Sequence, residues 1–84
     1  MHRAIPAISG KQLISLLEKD GWEKRRRAKH GIAFSKYING VNKVTIIPDT
    51  KASLPEGTLQ AILSMKQTGI GKRGLLQLIN KYGI

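Results

Sequence analysis

The chain has 84 residues, 40% of them hydrophobic, and its 15 Lys and Arg against 5 Asp and Glu give a net charge of +10. This length predicts one domain over residues 1–84 and excludes a two-domain enzyme or a many-stranded nucleotide-binding sheet. The lack of cysteine excludes disulfides and thiolate metal sites, and no apolar run approaches the about 20 residues that a transmembrane helix needs.

The first predicted element is a helix over about residues 10–20. Ser9 and Gln12 have the spacing of a capping box, in which each side chain accepts a hydrogen bond from the backbone amide of the other residue. The leucines that follow recur at helical spacing and predict one apolar face. Gly21 stands where a helix ends in a left-handed residue.

Three strands are predicted next. Residues 32–38 alternate apolar and polar side chains, residues 41–47 are rich in β-branched side chains, and Asn39-Gly40 between them suits a two-residue hairpin turn. Because an isolated hairpin is marginal in water, the basic segment 22–28 is predicted as a third strand. Pro48 ends the last strand, since proline cannot continue the ladder.

Two helices complete the chain. Pro55 and Glu56 suit the first turn of a helix, and Gly69 is predicted to cap its end. A short third helix is predicted over residues 72–82, ending at Gly83. The predicted fold class is therefore α+β, with a three-stranded antiparallel sheet, the helices packed on one face, and a short extra C-terminal helix.

The basic residues concentrate in the first predicted strand and the turn after it. Five of the fifteen cations fall within six consecutive residues: Lys24, Arg25, Arg26, Arg27 and Lys29. Positive charge of this density predicts a polyanionic partner, either nucleic acid or an acidic protein surface. Strict alternation along a strand would place Arg25 and Arg27 on one face and Lys24 and Arg26 on the other.

Few residues carry the chemistry of a catalytic site. The carboxylates lack the paired spacing of a metal site, no Walker-type loop is present, and no serine has a partnered His and Asp nearby, so no metal or cofactor is predicted. His30 differs, because an imidazole can exchange a proton near neutral pH and the adjoining cations could hold a phosphodiester. The alternative is a surface turn histidine without a catalytic role.

Several segments resemble the HicA family of toxins. Residues 26–30 fall where that family carries a Gly-Ser-His strand turn, and its Gly-Thr-Leu-x-x-Ile-Leu helix motif stands at 57–63. The full set of similar segments, in order, is 6–14, 16–22, 26–30, 44–48 and 54–63. The resemblance covers about residues 4–70 and implies a domain core there, with a C-terminal helical extension over 71–84.

The resemblance implies both a fold and an activity. HicA toxins have a double-stranded-RNA-binding-like fold of order α-β-β-β-α, and they are the mRNA-cleaving half of a type II toxin–antitoxin pair. By position, the catalytic histidine of a metal-independent endoribonuclease is His30, and a HicB-type antitoxin would bind the toxin and mask it. The expected RNA-binding residues are Lys24, Arg25, Arg26, Arg27 and Lys29. We expect a cytoplasmic protein without a membrane partner.

Two departures from the family pattern keep other functions open. Ala28 and Lys29 replace the usual Gly and Ser, and Asp49-Thr50 follows Pro48 where many members have a histidine. The alternative is a non-catalytic RNA-binding module of the same fold, because double-stranded RNA is recognised by shape and backbone contacts that need no histidine. A further alternative is a docking site for an acidic protein only.

Overall fold

The computed structural model describes residues 7–83. Its elements are, in chain order, α1 (Gly10–Lys19), β1 (Glu23–Ala28), β2 (Gly31–Ile38), β3 (Val41–Ile47), α2 (Glu56–Leu63) and α3 (Gly71–Tyr82). This order confirms the predicted elements and the α+β fold class. None of the three helices is long and apolar enough to cross a membrane. Residues 1–6 and 84 of the predicted domain, and therefore 4–6 of its predicted core, lie outside the described part.

The capping box that opens α1 is present. The Gln12 amide donates to Ser9 Oγ at 3.1 Å, and the Ser9 amide donates to Gln12 Oε1 at 2.9 Å. Gly21 follows the helix with a φ of 95°, as predicted for a left-handed residue at its end. The sequence signals at both ends of this helix are therefore confirmed.

The three strands form one antiparallel sheet in the order β1-β2-β3. The predicted hairpin turn is confirmed, because Asn39 and Gly40 have φ angles of 51° and 79°. This two-residue turn sets the register of β2 and β3, so that Ile32 lies opposite Ile47 at the other end of the hairpin. The central strand is β2, and β1 and β3 are the two edges.

One hydrophobic core lies between the helices and a single face of the sheet. All three helices supply leucines to it, and Phe34 of β2 is fully buried at its centre. Leu75 and Leu78 of α3 are buried in the same core. The opposite face of the sheet is open, since Val44 and Ile46 of β3 are 48% and 42% exposed.

The end of α2 differs from the prediction. The helix stops at Leu63, so Gly69, which has a φ of 71°, does not cap it. The Ser64 hydroxyl donates to the carbonyl of Ala61 at 2.6 Å, and the Thr68 hydroxyl donates to that of Ile62 at 2.7 Å. These hydroxyls satisfy the last helical carbonyls and compete with another helical turn.

The last helix agrees closely with the sequence. It begins at Gly71, one residue before the predicted start, and ends at Tyr82. Gly83 follows with a φ of 77° and donates its amide to the carbonyl of Ile79 at 2.8 Å. The predicted termination at Gly83 is confirmed.

Candidate functional site

The candidate histidine lies in the two-residue turn between β1 and β2. Lys29 and His30 form this turn, and Ala28 and Gly31 on either side of it are paired in the sheet. Both turn side chains are exposed, and neither makes a hydrogen bond or ion pair with another residue between 7 and 83. The turn therefore presents an imidazole and an ammonium side by side to an incoming molecule.

Gly31 allows this turn to approach the end of β3. A Cβ atom at this position would collide with the carbonyl oxygen of Ile47 and lie 2.9 Å from Cα of Pro48, and the φ of Gly31 is 152°. Only glycine permits both the dihedral angle and the close approach. His30 is thereby placed next to Pro48, the residue that ends β3.

A cleft of about 470 Å³ extends from His30 along the edge of β3. One wall is β3, and the other is the exposed flank of α2 with the turn that follows it. The lining residues are His30, Val44, Thr45, Ile46, Pro48, Thr58, Ala61, Ile62 and Gln67. The Thr45 hydroxyl and Gln67 Oε1 are 2.5 Å apart and join the two walls. None of the lysines and arginines between residues 7 and 83 lines this cleft, so its interior suits a neutral group.

A cluster of charges lies beyond Pro48, where β1, α1 and the loop after β3 meet. Asp49 Oδ1 is 2.8 Å from Lys11 Nζ, and Asp49 Oδ2 is 3.1 Å from Arg27 Nη2. The hydrogen bond from Lys11, followed by that from Arg27, holds the pKa of the Asp49 carboxyl below its usual value. Asp49 therefore remains charged at neutral pH and connects two elements that supply cations.

Gly10 allows the start of α1 to lie close to this cluster. A Cβ atom there would collide with the carbonyl oxygen of Pro48, and the neighbouring Lys11 amide donates to the carbonyl of Thr50 at 3.0 Å. These contacts bring the start of α1 to the loop after β3. No local sequence pattern indicates Lys11 as a site residue, because it lies 38 positions from Asp49 in the chain.

A β-bulge changes the faces on which the basic residues lie. The register of β1 against β2 shifts between Lys24 and Arg26, so that Lys24 is opposite Phe34 and Arg26 is opposite Ala33. The Arg25 side chain donates to Ser35 Oγ at 2.6 Å, on the open face of the sheet. The predicted pairing of Arg25 with Arg27 on one face, and of Lys24 with Arg26 on the other, is therefore wrong.

The bulge inserts one extra residue into β1, and this residue decides which basic side chains lie on each face of the sheet. Arg25 and Arg26 both lie on the open face, because a bulged residue and its neighbour can share a face. Lys24 and Arg27 lie on the face that carries the helices, where they line a shallow cleft with residues of α1. Both faces of β1 therefore carry two cations, and the alternation of the sequence does not predict which two.

Three of the five predicted RNA-binding residues have charges without a partner among residues 7–83. Arg25 contacts Ser35 and lies 3.4 Å from a Glu23 carboxylate oxygen, and Arg27 contacts Asp49. In residues 7–83 the remaining members make no hydrogen bond or ion pair: Lys24, Arg26 and Lys29. These three ammonium and guanidinium groups are available to bind phosphate without losing an internal contact.

The described residues contain no group of three or more His, Cys, Asp or Glu that could hold a metal ion. The groups at this end of the sheet are an exposed imidazole, several cations and one ion-paired carboxylate. Such a set can bind phosphates and exchange a proton.

Comparison with known proteins gives one family. The model of the family described as HicA toxin of bacterial toxin–antitoxin matches residues 10–70. This range contains α1, the whole sheet and α2, and it ends one residue before α3. His30 and all five predicted RNA-binding residues fall inside it. No curated protein and no solved structure gives a significant match.

Proposed function

Since the chain belongs to the HicA toxin family, and is thus the toxin component of a toxin–antitoxin pair, we propose that it cleaves mRNA as an endoribonuclease. In this proposal His30 is the single catalytic histidine and the reaction needs no metal ion. The observation that carries the proposal is the position of His30, which is exposed, has no side-chain partner among residues 7–83 and stands at the end of a cleft.

His30 has the freedom that a general base requires. In the proposed reaction its imidazole takes a proton from the ribose 2′-hydroxyl or from a water molecule, a role that typically accelerates a reaction about 10²–10⁴-fold. No described side chain donates to or accepts from this imidazole, so both ring nitrogens are open to substrate. The cleft beside it, of about 470 Å³, has room for a base or ribose.

The cations around His30 supply the complementary charge. Lys29 is adjacent to it in the same turn, and Arg26 and Lys24 extend the positive charge along β1. Positive groups placed near a reacting phosphate stabilise the negative charge that develops in the transition state. Arg27 and Lys11 are fixed by Asp49 at the same end of the sheet, where they add to the positive potential.

The partners of the protein follow from the family. Its membership implies an antitoxin, and we propose that this antitoxin is of the HicB type and acts by covering His30. The proposed substrate, mRNA, and the expected cytoplasmic location agree with each other. The net charge of +10 favours association with RNA and with an acidic protein alike.

Cleavage of a defined transcript in EDTA tests the proposal. The parent protein is compared with His30→Ala and with Lys66→Ala, a matched variant that removes an exposed side chain next to Met65, which lies beside the β2–β3 hairpin. We expect cleavage by the parent and by Lys66→Ala, and none by His30→Ala, with all three folded by circular dichroism.

The other outcomes assign the function differently. Equal cleavage by all three proteins would mean that another group, or a contaminating nuclease, carries the activity. RNA binding without cleavage by any of them would identify the chain as a non-catalytic RNA-binding module. Activity of the parent only when a divalent ion is present would refute metal independence while leaving His30 to be tested.

A further inference from the structure

The strand β3 has an unused row of backbone hydrogen-bonding groups. It pairs with β2 on one side only, because it is an edge of the sheet. The two-residue hairpin makes Ile38 and Val41 a hydrogen-bonded pair, so every second residue from Val41 onward bonds to β2. The residues between them are Asn42, Val44 and Ile46, and their backbone N–H and C=O groups point away from β2. None of these groups has a hydrogen-bond partner among residues 7–83.

The two edges of the sheet differ in how they are protected. Natural sheets discourage strand addition at an edge with charged side chains, bulges, prolines or a covering element. The edge β1 has four consecutive cations and a bulge. The edge β3 has neither feature, since its one charged residue, Lys43, points to the helix side and donates to the carbonyl of Met65 at 3.1 Å.

The side chains of β3 and the space beside it suit an added strand. Val44 and Ile46 are exposed on the open face, where a neighbouring strand would cover them. The adjoining cleft of about 470 Å³ has short side chains, Thr58 and Ala61, on the α2 wall. Paired strands lie about 4.8 Å apart, so a strand added to β3 would occupy the cleft between β3 and α2.

The chemistry of the cleft decides between possible occupants. An RNA backbone that followed β3 would need cations along its path, and among residues 7–83 no lysine or arginine lines the cleft, which leaves room for a single base or ribose beside His30 only. A second copy would bring two bodies of charge +10 together along their edges. An extended peptide needs no cation inside the cleft, because its backbone is neutral and satisfies the outward groups of β3. Carboxylates on its side chains that point out of the cleft would favour association with a protein of net charge +10.

We propose that the free edge of β3 binds an extended, acidic segment of the antitoxin by strand addition. About five residues would pair with 42–46, a length of about 17 Å at about 3.4 Å per residue. The segment would run along the cleft toward Pro48 and cover His30, which lies at that end. Covering His30 would inhibit the protein only if His30 has the proposed catalytic role. The binding of the segment to β3 does not depend on that role.

Amide hydrogen exchange tests the pairing directly. The exchange of each ¹⁵N-labelled backbone amide of the full chain is followed by NMR, free and in complex with the purified antitoxin. We expect the outward amides of Asn42, Val44 and Ile46 to exchange fast in the free chain and about tenfold or more slowly in the complex. The inward amides of Lys43 and Thr45 serve as the internal control, because β2 protects them in both states.

A proline substitution provides the matched variant. Ile46→Pro removes an outward N–H and no hydrogen bond to β2, whereas Ile46→Ala removes the side chain and keeps the N–H. We expect Ile46→Pro to weaken antitoxin binding about tenfold more than Ile46→Ala does. If Ile46→Pro does not fold, Val44→Pro and Val44→Ala repeat the comparison at the other central outward position.

Each remaining outcome counts against strand addition. A tight complex in which the outward amides stay unprotected would overturn it, and so would equal binding by the proline and alanine variants or no antitoxin binding at all. Protection of the same amides in the free chain, with a doubled mass, would assign the edge to a second copy. None of these measurements uses RNA cleavage, so failure of the nuclease proposal is distinguishable from failure of this one.

Discussion

Removal of the Lys29 charge should weaken RNA binding without affecting the fold. Lys29 lies in the turn beside His30, is exposed, and makes no ion pair or hydrogen bond with another residue between 7 and 83. Surface substitutions of this kind usually change stability by no more than about 0.5 kcal/mol. For a chain of this size the thermal midpoint of Lys29→Ala should therefore stay within about 4 °C of the parent.

The size of the effect on binding follows from counterion release. Each phosphate neutralised on single-stranded nucleic acid contributes about 0.7 to the slope of log affinity against log salt concentration. Loss of one contact should therefore reduce the slope by about 0.7, which amounts to about 2.6-fold between about 50 and 200 mM salt. Arg26, which has no partner among the described residues, extends the test, since the salt slope of the Lys29→Ala/Arg26→Ala double variant should be smaller than that of the parent by about 1.4.

Fluorescence anisotropy with a labelled single-stranded RNA, at several salt concentrations, measures these slopes. The control is Lys66→Ala, which also removes one positive charge. Lys66 follows Met65, whose carbonyl accepts a hydrogen bond from Lys43 of the β2–β3 hairpin. This position lies at the opposite end of the sheet from the Lys29 turn, so its slope should equal that of the parent. Equal slopes for Lys29→Ala and Lys66→Ala would refute a phosphate contact at Lys29, and so would a large loss of stability in Lys29→Ala.

Two further predictions concern stability. The pKa of the Asp49 carboxyl is lower in the folded chain than in the unfolded one, so its stabilising effect is present above about pH 4 and is lost as the pH falls through the folded value. The thermal midpoint of Asp49→Asn should therefore fall less than that of the parent on acidification from about pH 6 to 3, and parallel curves would contradict this assignment. Leu75→Ala should destabilise the fold by about 2–5 kcal/mol in urea unfolding, because Leu75 is fully buried in the core. Half-buried Leu76→Ala is its control, and equal losses would mean that α3 is not packed as described.

The bulge in β1 shows how one irregular residue redistributes a charged strand. Without it, Arg25 would lie on the same face as Arg27, close to α1. With it, Arg25 and Arg26 lie on the open face, and Arg25 spans to Ser35 at 2.6 Å. The bulge therefore leaves two cations on each face of the strand and changes which two they are.

The elements that the sequence predicted well have local causes. The capping box at Ser9 and the turn at Asn39-Gly40 are determined by backbone geometry within a few residues, so sequence alone locates them. The end of α2 was predicted wrongly although its signals are also nearby. Gly69 indicated a later end, but the helix ends at Leu63, where the hydroxyls of Ser64 and Thr68 bond to its last carbonyls. Thr68 is buried, and this burial depends on the tertiary structure.

By itself the sequence determined the order of helices and strands, the basic segment, and His30 as the candidate catalytic residue. Each of these depends on residue type and on spacing within one segment. The tertiary structure alone decided the bulge, the ion pairs of Asp49 with Lys11 and Arg27, and the cleft beside the free edge of β3. The bulge depends on strand register, and the ion pairs join residues that are distant in the chain. Arg27 is 22 positions from Asp49, and Lys11 is 38 positions from it, so no local pattern encodes these contacts.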